Sequence, residues 1–352
     1  MNYIEDPVLL AEARQLHATT LVIDLHQDTL LPAGLFGYDP ARRHGPLPPP
    51  LGHLARPLFG QSDLPRLREG GVSGVGFGVV TNPFWAGRAL RGVYEDLDRL
   101  RGLAAAHPDQ LLLATGPADF HLALATGRVA AFPVIEGTHC LGPDLAELGR
   151  LQEAGLAGVG LVHFMATRAA PSSSSRPERR GDPLSPWGHA LIAECCQRGL
   201  LLDLAHLAGP ALHQALQAAT RPLVISHTGV AGVYPYWRNV DDEALRLVAQ
   251  RGGCVGIILY GPYLGRGLVG SLELAVAHAE HVVQVAGEDT VALGSDIDGF
   301  LPWLLPGLRG SDDLPRVTAA FLARGWPEDR LRKLLGGNAC RVLGEAWSRP
   351  DR

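Results

Sequence analysis

The sequence predicts one closed (β/α)8 TIM barrel that occupies residues 1–352, with loop insertions on its catalytic face. Eight short apolar runs occur along the chain, and a segment with helical periodicity separates most of them. Alternating strands and helices build parallel sheets, and eight such units close into a barrel. An open doubly wound sheet is the competing architecture. It is disfavoured because no GxGxxG motif follows the first strand and no GxxxxGK[ST] motif occurs anywhere.

The predicted elements alternate along the whole chain. Their ends carry the usual signals, such as Ser62 before the second helix and glycines after it. The predicted strands are Leu21–Leu25, Val72–Val80, Val129–Ile135, Gly158–His163, Leu200–Ala205, Pro222–Ser226, Gly253–Tyr260 and Thr290–Ser295. The predicted helices are 6–17, 62–71, 88–106, 117–126, 143–154, 186–198, 209–219, 241–251, 271–286 and one or two within 314–349.

Two long segments interrupt this alternation and are predicted to be loops. Residues 31–60 contain GPLPPPLGH, which is too rich in proline for a helix or a central strand. Residues 171–186, PSSSSRPERRGDPLSP, form a low-complexity polar segment that is expected to be solvated and flexible. Loops of this length inside a compact domain usually carry function or move.

Composition and charge exclude several classes of protein. The chain has 352 residues, a net charge of −5, 46% hydrophobic residues and no basic stripe with interleaved aromatics, so no nucleic-acid partner is expected. The acidic start and the lack of an 18-residue apolar stretch predict no signal peptide and no membrane span. Five scattered cysteines without a CxxC pair predict buried or partly buried free thiols. A cytoplasmic location is expected.

The first strand delivers two candidate metal ligands. LVIDLHQD places His26 and Asp28 two residues apart, just where a buried strand runs into a loop. Alternate residues of a strand point the same way, so both side chains can converge on one point. An imidazole and a carboxylate aimed at one point suit a divalent metal such as zinc. For an isolated pair, a surface turn is the simpler explanation.

Other strand ends repeat this pattern. The further candidates are Glu136, His163, His206, His227 and Asp296. Each alone has an ordinary explanation: a histidine hydrogen-bonded in a loop, a glutamate that caps the next helix, or a turn or calcium-loop fragment in the DIDG sequence that begins at Asp296. In a barrel, however, all these ends open on one face, where such enzymes place their catalytic residues. Together they predict a metal site with three histidines and two or three carboxylates.

This set of ligands is larger than one catalytic zinc needs, because such a zinc takes three protein ligands. Two metals bridged by a carboxylate would use the whole set. Paired metals lower the pKa of a shared water and polarise a carbonyl, which predicts hydrolysis of an amide or ester.

Short motifs along nearly the whole chain identify a family. In order they are VIDLHQD, SDLPRLREGGV, VIEGTH, LVHF, LLDLAH, VISHTG, WRNVDDE, GGCVGI, LGSDIDG and GGNACRVL. In this order and spacing they resemble the membrane (renal) dipeptidase family of amidohydrolase-like metal hydrolases. The resemblance implies a binuclear zinc dipeptidase, acting on dipeptides that include those with a C-terminal D-residue. It also suggests a homodimer, with a small dipeptide-like substrate as the binding partner.

The resemblance implies a role for each metal ligand. His26 and Asp28 would hold one zinc ion, and His206 and His227 would hold the other. Glu136 would bridge the two ions together with a water or hydroxide.

The resemblance also implies the residues that act on the substrate. His163 would orient and polarise the substrate carbonyl. Arg238, in the WRN motif, would pair with the terminal carboxylate of the substrate, a task suited to a guanidinium. Asp296 would carry the proton of the attacking water to the leaving amine. Asp296, His163 and Glu136 are therefore the expected catalytic residues.

The chain departs from the family pattern at positions that shape the pocket. Gln27 stands where the family usually has Asn, and Ala205 where Ser often precedes the histidine. Residues 164–180 lack the expected polar Asn/Trp pattern, and Val75–Phe77 lack the usual Gln and Trp. These departures leave the metal ligands intact and weaken the assignment of the substrate.

Other functions remain open at this stage. The same metal site could act on another small amide, an N-acyl amino acid, an ester or lactone, or a phosphoester. A barrel that only binds a ligand is a different class, although all five proposed metal ligands are retained. A metal-free, phosphate-binding barrel isomerase is a third class and predicts no zinc.

Overall fold

The structure is a computed structural model that describes residues 6–44, 60–81, 87–299 and 304–348. Its strands are β1 (Ile23–Gln27), β2 (Gly74–Val80), β3 (Leu111–Leu113), β4 (Val129–Glu136), β5 (Gly158–Gly160), β6 (Leu201–Asp203), β7 (Val224–Thr228), β8 (Cys254–Ile257) and β9 (Val291–Leu293). All neighbouring strands are parallel, and β1–β9 and β2–β4 pairing closes eight of them into a barrel. The predicted (β/α)8 barrel is confirmed.

Every predicted apolar run contributes one strand to the barrel. One further strand, β3, was not predicted. It consists of three leucines, pairs with the start of β4 and lies outside the closed ring. It is too short to carry an alternating pattern, so its sequence gave no strand signal. Several strands are shorter than predicted; β5 ends at Gly160, so His163 lies in the following loop rather than at the strand end.

The helices are α1 (Pro7–Thr19), α2 (Leu30–Phe36), α3 (Leu64–Glu69), α4 (Ala89–Ala106), α5 (Pro117–Thr126), α6 (Glu147–Glu153), α7 (Pro186–Arg198), α8 (Gly209–Ala218), α9 (Asp242–Gln250), α10 (Gly261–Leu264), α11 (Leu272–Ala286), α12 (Leu314–Ala323), α13 (Glu328–Arg332) and α14 (Asn338–Trp347). Short 3-10 turns occur at Pro177–Arg179 and Ser311–Asp313, and a π-helical turn at Lys333–Gly337 joins α13 to α14.

The loop prediction for residues 31–60 is wrong at its start, because α2 occupies Leu30–Phe36. Pro32 lies in the first turn of α2, where its missing N–H removes no helical hydrogen bond. Leu30 and Ala33 are buried, and Gly37 ends the helix with a φ of 66°. Residues 45–59 of the predicted loop lie outside the described part of the chain.

The prediction of a solvated loop for residues 171–186 is also wrong at its start. Ser172 and Ser173 are 0% and 1% exposed, and Ser172 forms an antiparallel bridge with Leu207. Ser172 can be buried here because its hydroxyl donates to the carbonyl oxygen of His163 and its backbone N–H donates to the hydroxyl of Ser175. The later arginines are largely structural: Arg179 pairs with Asp182 at 3.2 Å, and Arg180 lies over the ring of Trp237.

An apolar plug fills the end of the barrel opposite the strand carboxyl termini. Ile23, Phe132 and other inward-facing strand residues pack against Val342 and Leu343 of α14. Phe132 also meets the ring of Trp347 edge-on at 5.5 Å. Burial of these side chains favours the closed barrel and leaves only the carboxyl ends of the strands open to polar chemistry.

The remaining sequence predictions concern thiols and membranes. All five cysteines are buried and free, as predicted. Within the residues that the structure describes, no helix has both the length and the apolar character needed to cross a membrane.

Candidate active site

The structure brings the predicted metal ligands together around one carboxylate. Oε1 of Glu136, the last residue of β4, lies 3.0 Å from Nε2 of His206. The same oxygen lies 3.7 Å from Nε2 of His26 and 3.7 Å from Nε2 of His227. Glu136 is 3% exposed, so a buried carboxylate stands between two groups of potential ligands, as a bridging ligand must.

One group of ligands fits a tetrahedral metal ion. Nε2 of His206 and Nε2 of His227 are 2.9 Å apart, and each faces Glu136. Two ligands of a tetrahedral zinc with bonds of about 2.0 Å are separated by roughly 3.3 Å. The three distances within this group bracket that value, so the donor atoms are already placed for one ion.

The second group lies on the other side of Glu136. Nε2 of His26 is 3.4 Å from Oδ1 of Asp28 and 3.9 Å from Oδ1 of Asp296. The buried clusters able to hold an ion are His26, Glu136 and His227; Glu136, His163 and His206; and His26, Asp28 and Asp296. Because these clusters share members, geometry alone does not divide the ligands between two ions in one way.

Several donor atoms in this cluster have no hydrogen-bond partner. Among the described residues, the buried atoms without a partner include Nε2 of His26, Oδ1 of Asp28 and Oε2 of Glu136. Leaving such atoms unpaired in a buried site is costly. A bound cation would satisfy all three at once, and the residues therefore fit a metal centre.

The charges in the cluster point the same way. Burial raises the pKa of Glu136 well above its usual value, and the neighbouring charge of Asp28 adds to this effect. Burial also raises the pKa of Asp296. Burial alone would lower the pKa of His26, but the charges of Glu136, Asp28 and Asp296 outweigh it and raise that pKa. Carboxylates crowded in this way need a positive charge, which divalent ions supply.

Two aspartate–serine pairs hold the strands that carry the ligands. Oδ1 of Asp203 accepts the backbone N–H of Ser226 at 3.0 Å, and Oδ2 accepts its hydroxyl. Asp24 and Ser295 form the same pair, with the backbone N–H donating over 2.8 Å. Each serine immediately precedes a site residue, His227 or Asp296. In the sequence, the two members of each pair lie far apart and neither belongs to a pattern that indicates hydrogen bonding. Their positioning role was therefore not predicted.

A glycine makes room for the first pair of ligands. A Cβ atom at Gly78 in β2 would lie 2.2 Å from Oδ1 of Asp28 and 2.9 Å from Cε1 of His26. Only glycine allows the strand to approach the two ligands this closely. The sequence predicted β2 to be rich in glycine but did not assign Gly78 to the site.

Backbone strain is concentrated at the site. His206, Asp296 and Asp298 have positive φ angles of 66°, 61° and 66°, which non-glycine residues seldom adopt. Asp298 does not face the metal ligands: its carboxylate accepts the backbone N–H of Gln61 at 2.9 Å and the hydroxyl of Thr29 at 3.2 Å. The DIDG sequence is therefore a turn that presents Asp296, and it is not part of a calcium loop.

Gln27, one of the departures from the family pattern, has a structural role. Its Nε2 donates to Oδ2 of Asp24 at 2.7 Å, and its Oε1 accepts the hydroxyl of Ser62 at 2.7 Å. It connects the aspartate–serine pair of β1 to the segment that leads into α3. The side chain is completely buried and contacts no metal ligand through these bonds.

Two further histidines lie at the same site. Nε2 of His163 lies 3.4 Å from Oε2 of Glu136, and burial lowers the pKa of His163 to about 4, so this imidazole is neutral. His139 lies nearby and is half-buried; its Nε2 has no partner among the described residues. Its pKa is lowered by burial.

Arg238 is a buried cation without a paired anion. Its side chain is 2% exposed, and its Nη2 donates to the carbonyl oxygen of His227 at 3.0 Å. Within the described residues, no carboxylate lies within ion-pair distance of it, and its Nε has no partner. Burial lowers its pKa, although charges on Asp296 and Glu136 act against this. A buried guanidinium in this state is prepared to bind an anionic ligand.

The chain is similar to known proteins over most of its length. A family model described as membrane dipeptidase, peptidase family M19, matches residues 10–349. A protein named dipeptidase aclJ, from Aspergillus oryzae, is 30% identical over 302 residues, which cover 82% of this chain and 70% of that protein.

Solved structures share the fold over almost the whole chain. Dipeptidase AC, a metallopeptidase of family M19, is 25% identical, with a TM-score of 0.80 and coverage of 94% of this chain and 99% of that one. A metallopeptidase from Rhodobacter sphaeroides, bound to a phosphinate mimic of the dipeptide L-Ala-D-Ala, is also 25% identical. Its TM-score is 0.82, with coverage of 93% of this chain and 100% of that one.

Proposed function

The chain belongs to the membrane dipeptidase family, peptidase family M19, and from this membership we propose that it is a binuclear zinc dipeptidase whose substrates include dipeptides with a C-terminal D-residue. The family consists of metal-dependent hydrolases, so this chain is one as well. The observation that carries the substrate proposal is Arg238, a buried and unpaired guanidinium beside the metal ligands.

The metal ligands are assigned in this proposal. His26 and Asp28 would hold one ion, His206 and His227 would hold the other, and Glu136 would lie between them as a shared ligand. The ions supply a water activated for attack and a positive charge that polarises the substrate carbonyl. The distances of 2.9–3.7 Å among these donor atoms support a shared metal centre, and the division between two ions follows the family resemblance.

The residues of the chain position the substrate. Arg238 binds the terminal carboxylate through its forked guanidinium and so fixes how far the scissile carbonyl reaches toward the ligands. His163 is neutral and donates its imidazole N–H to the carbonyl oxygen, where negative charge develops in the tetrahedral intermediate. Arg238 is buried and the side chain of His163 is only 18% exposed, so limited access of water strengthens these interactions.

Asp296 completes the reaction by moving a proton. As the water oxygen bonds to the carbonyl carbon, Oδ1 of Asp296 accepts a proton from that water. The same carboxyl then gives the proton to the amine nitrogen as the C–N bond breaks. Its position 3.9 Å from Nε2 of His26, beside Asp28, supports this role.

A D-residue at the second position is supported by one relative. The Rhodobacter sphaeroides metallopeptidase binds a mimic of L-Ala-D-Ala, and it shares the fold over nearly all of this chain. Because Arg238 would bind only the terminal carboxylate, this anchor by itself does not discriminate between D- and L-residues at that position.

The decisive experiment combines elemental analysis with a substrate screen. We expect about two zinc ions per chain, together with turnover of dipeptides with L- or D-residues at the second position. N-acyl amino acids, lactones and phosphoesters form the comparison set. Two zinc ions without dipeptide turnover would support the metal centre and reject the substrate, whereas absence of bound metal would reject both.

A further inference from the structure

An exposed apolar side chain lies beside two histidines of the proposed site. Phe164 follows His163 in the loop after β5, and 45% of its surface is exposed. Its ring centroid lies 4.6 Å from that of His163 and 5.4 Å from that of His206. Met165, the next residue, is 40% exposed. Two consecutive exposed apolar side chains beside a polar site form an apolar surface with a polar rim, an arrangement that often marks a ligand-binding groove.

The backbone of Phe164 is held in place by residues Ser172–Ser175, which we call the serine segment. The hydroxyl of Ser174 donates to the carbonyl oxygen of Phe164. The hydroxyl of Ser172 donates to the carbonyl oxygen of His163. The successive carbonyl groups of His163 and Phe164 are thus held by hydrogen bonds, so the ring of Phe164 lies on an ordered loop.

The serine segment also fixes the other histidine that Phe164 contacts. The backbone N–H of Ser173 donates to the carbonyl oxygen of His206 at 2.7 Å. Ser172 pairs with Leu207, the residue after His206. The serine segment therefore holds Phe164, His163 and His206 together. The position of the Phe164 ring relative to the two histidines is preorganised.

We propose that Phe164, with Met165 beside it, forms an apolar wall of the substrate site that selects dipeptides with a large apolar side chain next to the scissile bond. This inference rests on the proposed dipeptidase function and names its substrate class. Because the Phe164 ring lies 4.6 Å from that of His163, a substrate whose carbonyl reaches His163 brings an adjacent side chain near the exposed ring. An apolar side chain gains from covering that surface, whereas a charged one loses water without gaining a partner.

The test is a series of dipeptides in which one position is Ala and the other is Gly, Ala, Leu, Phe, Asp or Lys, varied at each position in turn. The variants are Phe164→Ala, Phe164→Leu and, as a control, Leu122→Ala. Leu122 is 46% exposed on α5, so its truncation removes a similar exposed apolar surface away from the loop after β5. Zinc content and circular dichroism confirm that each variant is folded and loaded.

The wild-type enzyme is expected to prefer Leu or Phe over Gly at one position by about tenfold or more in kcat/KM. Phe164→Ala should remove most of this preference, Phe164→Leu should keep much of it, and Leu122→Ala should behave as the wild type. An unchanged preference in Phe164→Ala overturns the proposal. A changed oligomeric state with unchanged selectivity also overturns it, since Phe164 would then be a subunit contact.

Binding measurements separate this proposal from the proposed function. Isothermal titration of the same dipeptides into zinc-loaded Asp296→Asn reports affinity without turnover, with and without Phe164→Ala. If the wild-type enzyme hydrolyses no dipeptide, dipeptidase activity is rejected. The proposal of an apolar wall is still supported in that case if apolar dipeptides bind more tightly than glycine dipeptides only when Phe164 is present. If apolar and glycine dipeptides bind equally, or none binds, the wall is rejected.

Discussion

The hydroxyl oxygen of Ser226 lies 2.9 Å from Nδ1 of His227. Because that hydroxyl already donates its proton to Asp203, it can only accept the proton on Nδ1. The other ring nitrogen, Nε2, is then unprotonated and faces His206 and Glu136. A chain of hydrogen bonds behind the site thus decides which nitrogen is free to bind a metal.

Removal of the Ser226 hydroxyl should weaken metal binding. In Ser226→Ala, His227 loses the acceptor that orients its ring, and outer contacts of this kind are worth about 10- to 100-fold in metal affinity. Competition with a zinc chelator measures the affinity. Ser295→Ala is the matched comparison, since it breaks the equivalent pair next to Asp296. That variant should lower kcat while retaining zinc; equal zinc loss in both would contradict the assignment.

Gly78→Ala should disrupt the ligands His26 and Asp28. The added methyl group would overlap the carboxylate of Asp28, so strand or ligand must move. We expect zinc content to fall by about one ion per chain and activity to fall by at least about 100-fold. Gly92→Ala in α4 is the control, because nothing lies within 4 Å of its added Cβ. Full zinc occupancy in Gly78→Ala would count against the proposed ligand pair.

Arg238→Ala should raise KM for dipeptides more than it lowers kcat. Loss of a charge-assisted anchor predicts a decrease in kcat/KM of about 100-fold or more. Arg238→Lys keeps the charge but loses the forked geometry, so it should recover only part of the activity. Dipeptide amides lack the terminal carboxylate and should be equally poor substrates for both variants and the wild type. A wild-type kcat/KM in Arg238→Ala would exclude a free-carboxylate substrate.

Metal removal should destabilise the protein increasingly as pH rises. In the absence of metal, burial raises the pKa values of Glu136 and Asp296. A carboxyl group whose pKa is higher in the folded state than in the unfolded state contributes most to stability below its unfolded-state pKa of about 4. That contribution is lost as pH rises toward the pKa of the folded state. Bound cations offset that loss. The Tm difference between zinc-loaded and chelator-treated protein should therefore be larger at pH 8 than at pH 5, and a constant difference would contradict this account.

A buried histidine far from the site should give the opposite dependence on pH. Burial lowers the pKa of His17 to about 4, and both ring nitrogens bond to Gly70 and Thr318 at 2.7 Å. Its stabilisation is complete above the unfolded pKa of about 6.5 and is lost as pH falls toward 4. The maximum contribution is about 3 kcal/mol.

Urea unfolding of His17→Gln and the wild type at several pH values measures this effect. The two free energies of unfolding should converge as pH falls from about 6.5 to 4. His121→Gln is a suitable control, because that residue is exposed on α5. A difference between His17→Gln and wild type that is independent of pH would show that His17 does not titrate on unfolding.

The sequence predicted much of the site because its signals are local. Each ligand follows an apolar run, and parallel strands of a barrel end on one face, so Glu136, His206 and His227 could be placed together before any coordinates. The structure shows that these three side chains lie close together. Their division between two ions, and the roles of His163, Arg238 and Asp296, stay predictions that the experiments above must test.

The residues that the sequence missed act across large separations in the chain. Ser173 contacts His206, Ser295 contacts Asp24, and Gly78 borders Asp28, yet no pattern in the sequence indicates these contacts. The serine segment even looks like a flexible linker, since composition alone cannot show that a serine has found partners. Hydrogen bonds between loops depend on how the loops fold back, which periodicity does not encode.

By itself, the sequence determined the barrel, the family and a set of candidate ligands, because apolar periodicity and the polar residues at strand ends are local features of the sequence. Only the tertiary structure decided that Gly78 leaves space for Asp28, that Ser226 contacts Nδ1 of His227 and that Phe164 lies against His163 and His206. Those relationships depend on distances between segments, and close packing in a buried site makes differences of about 1 Å decisive.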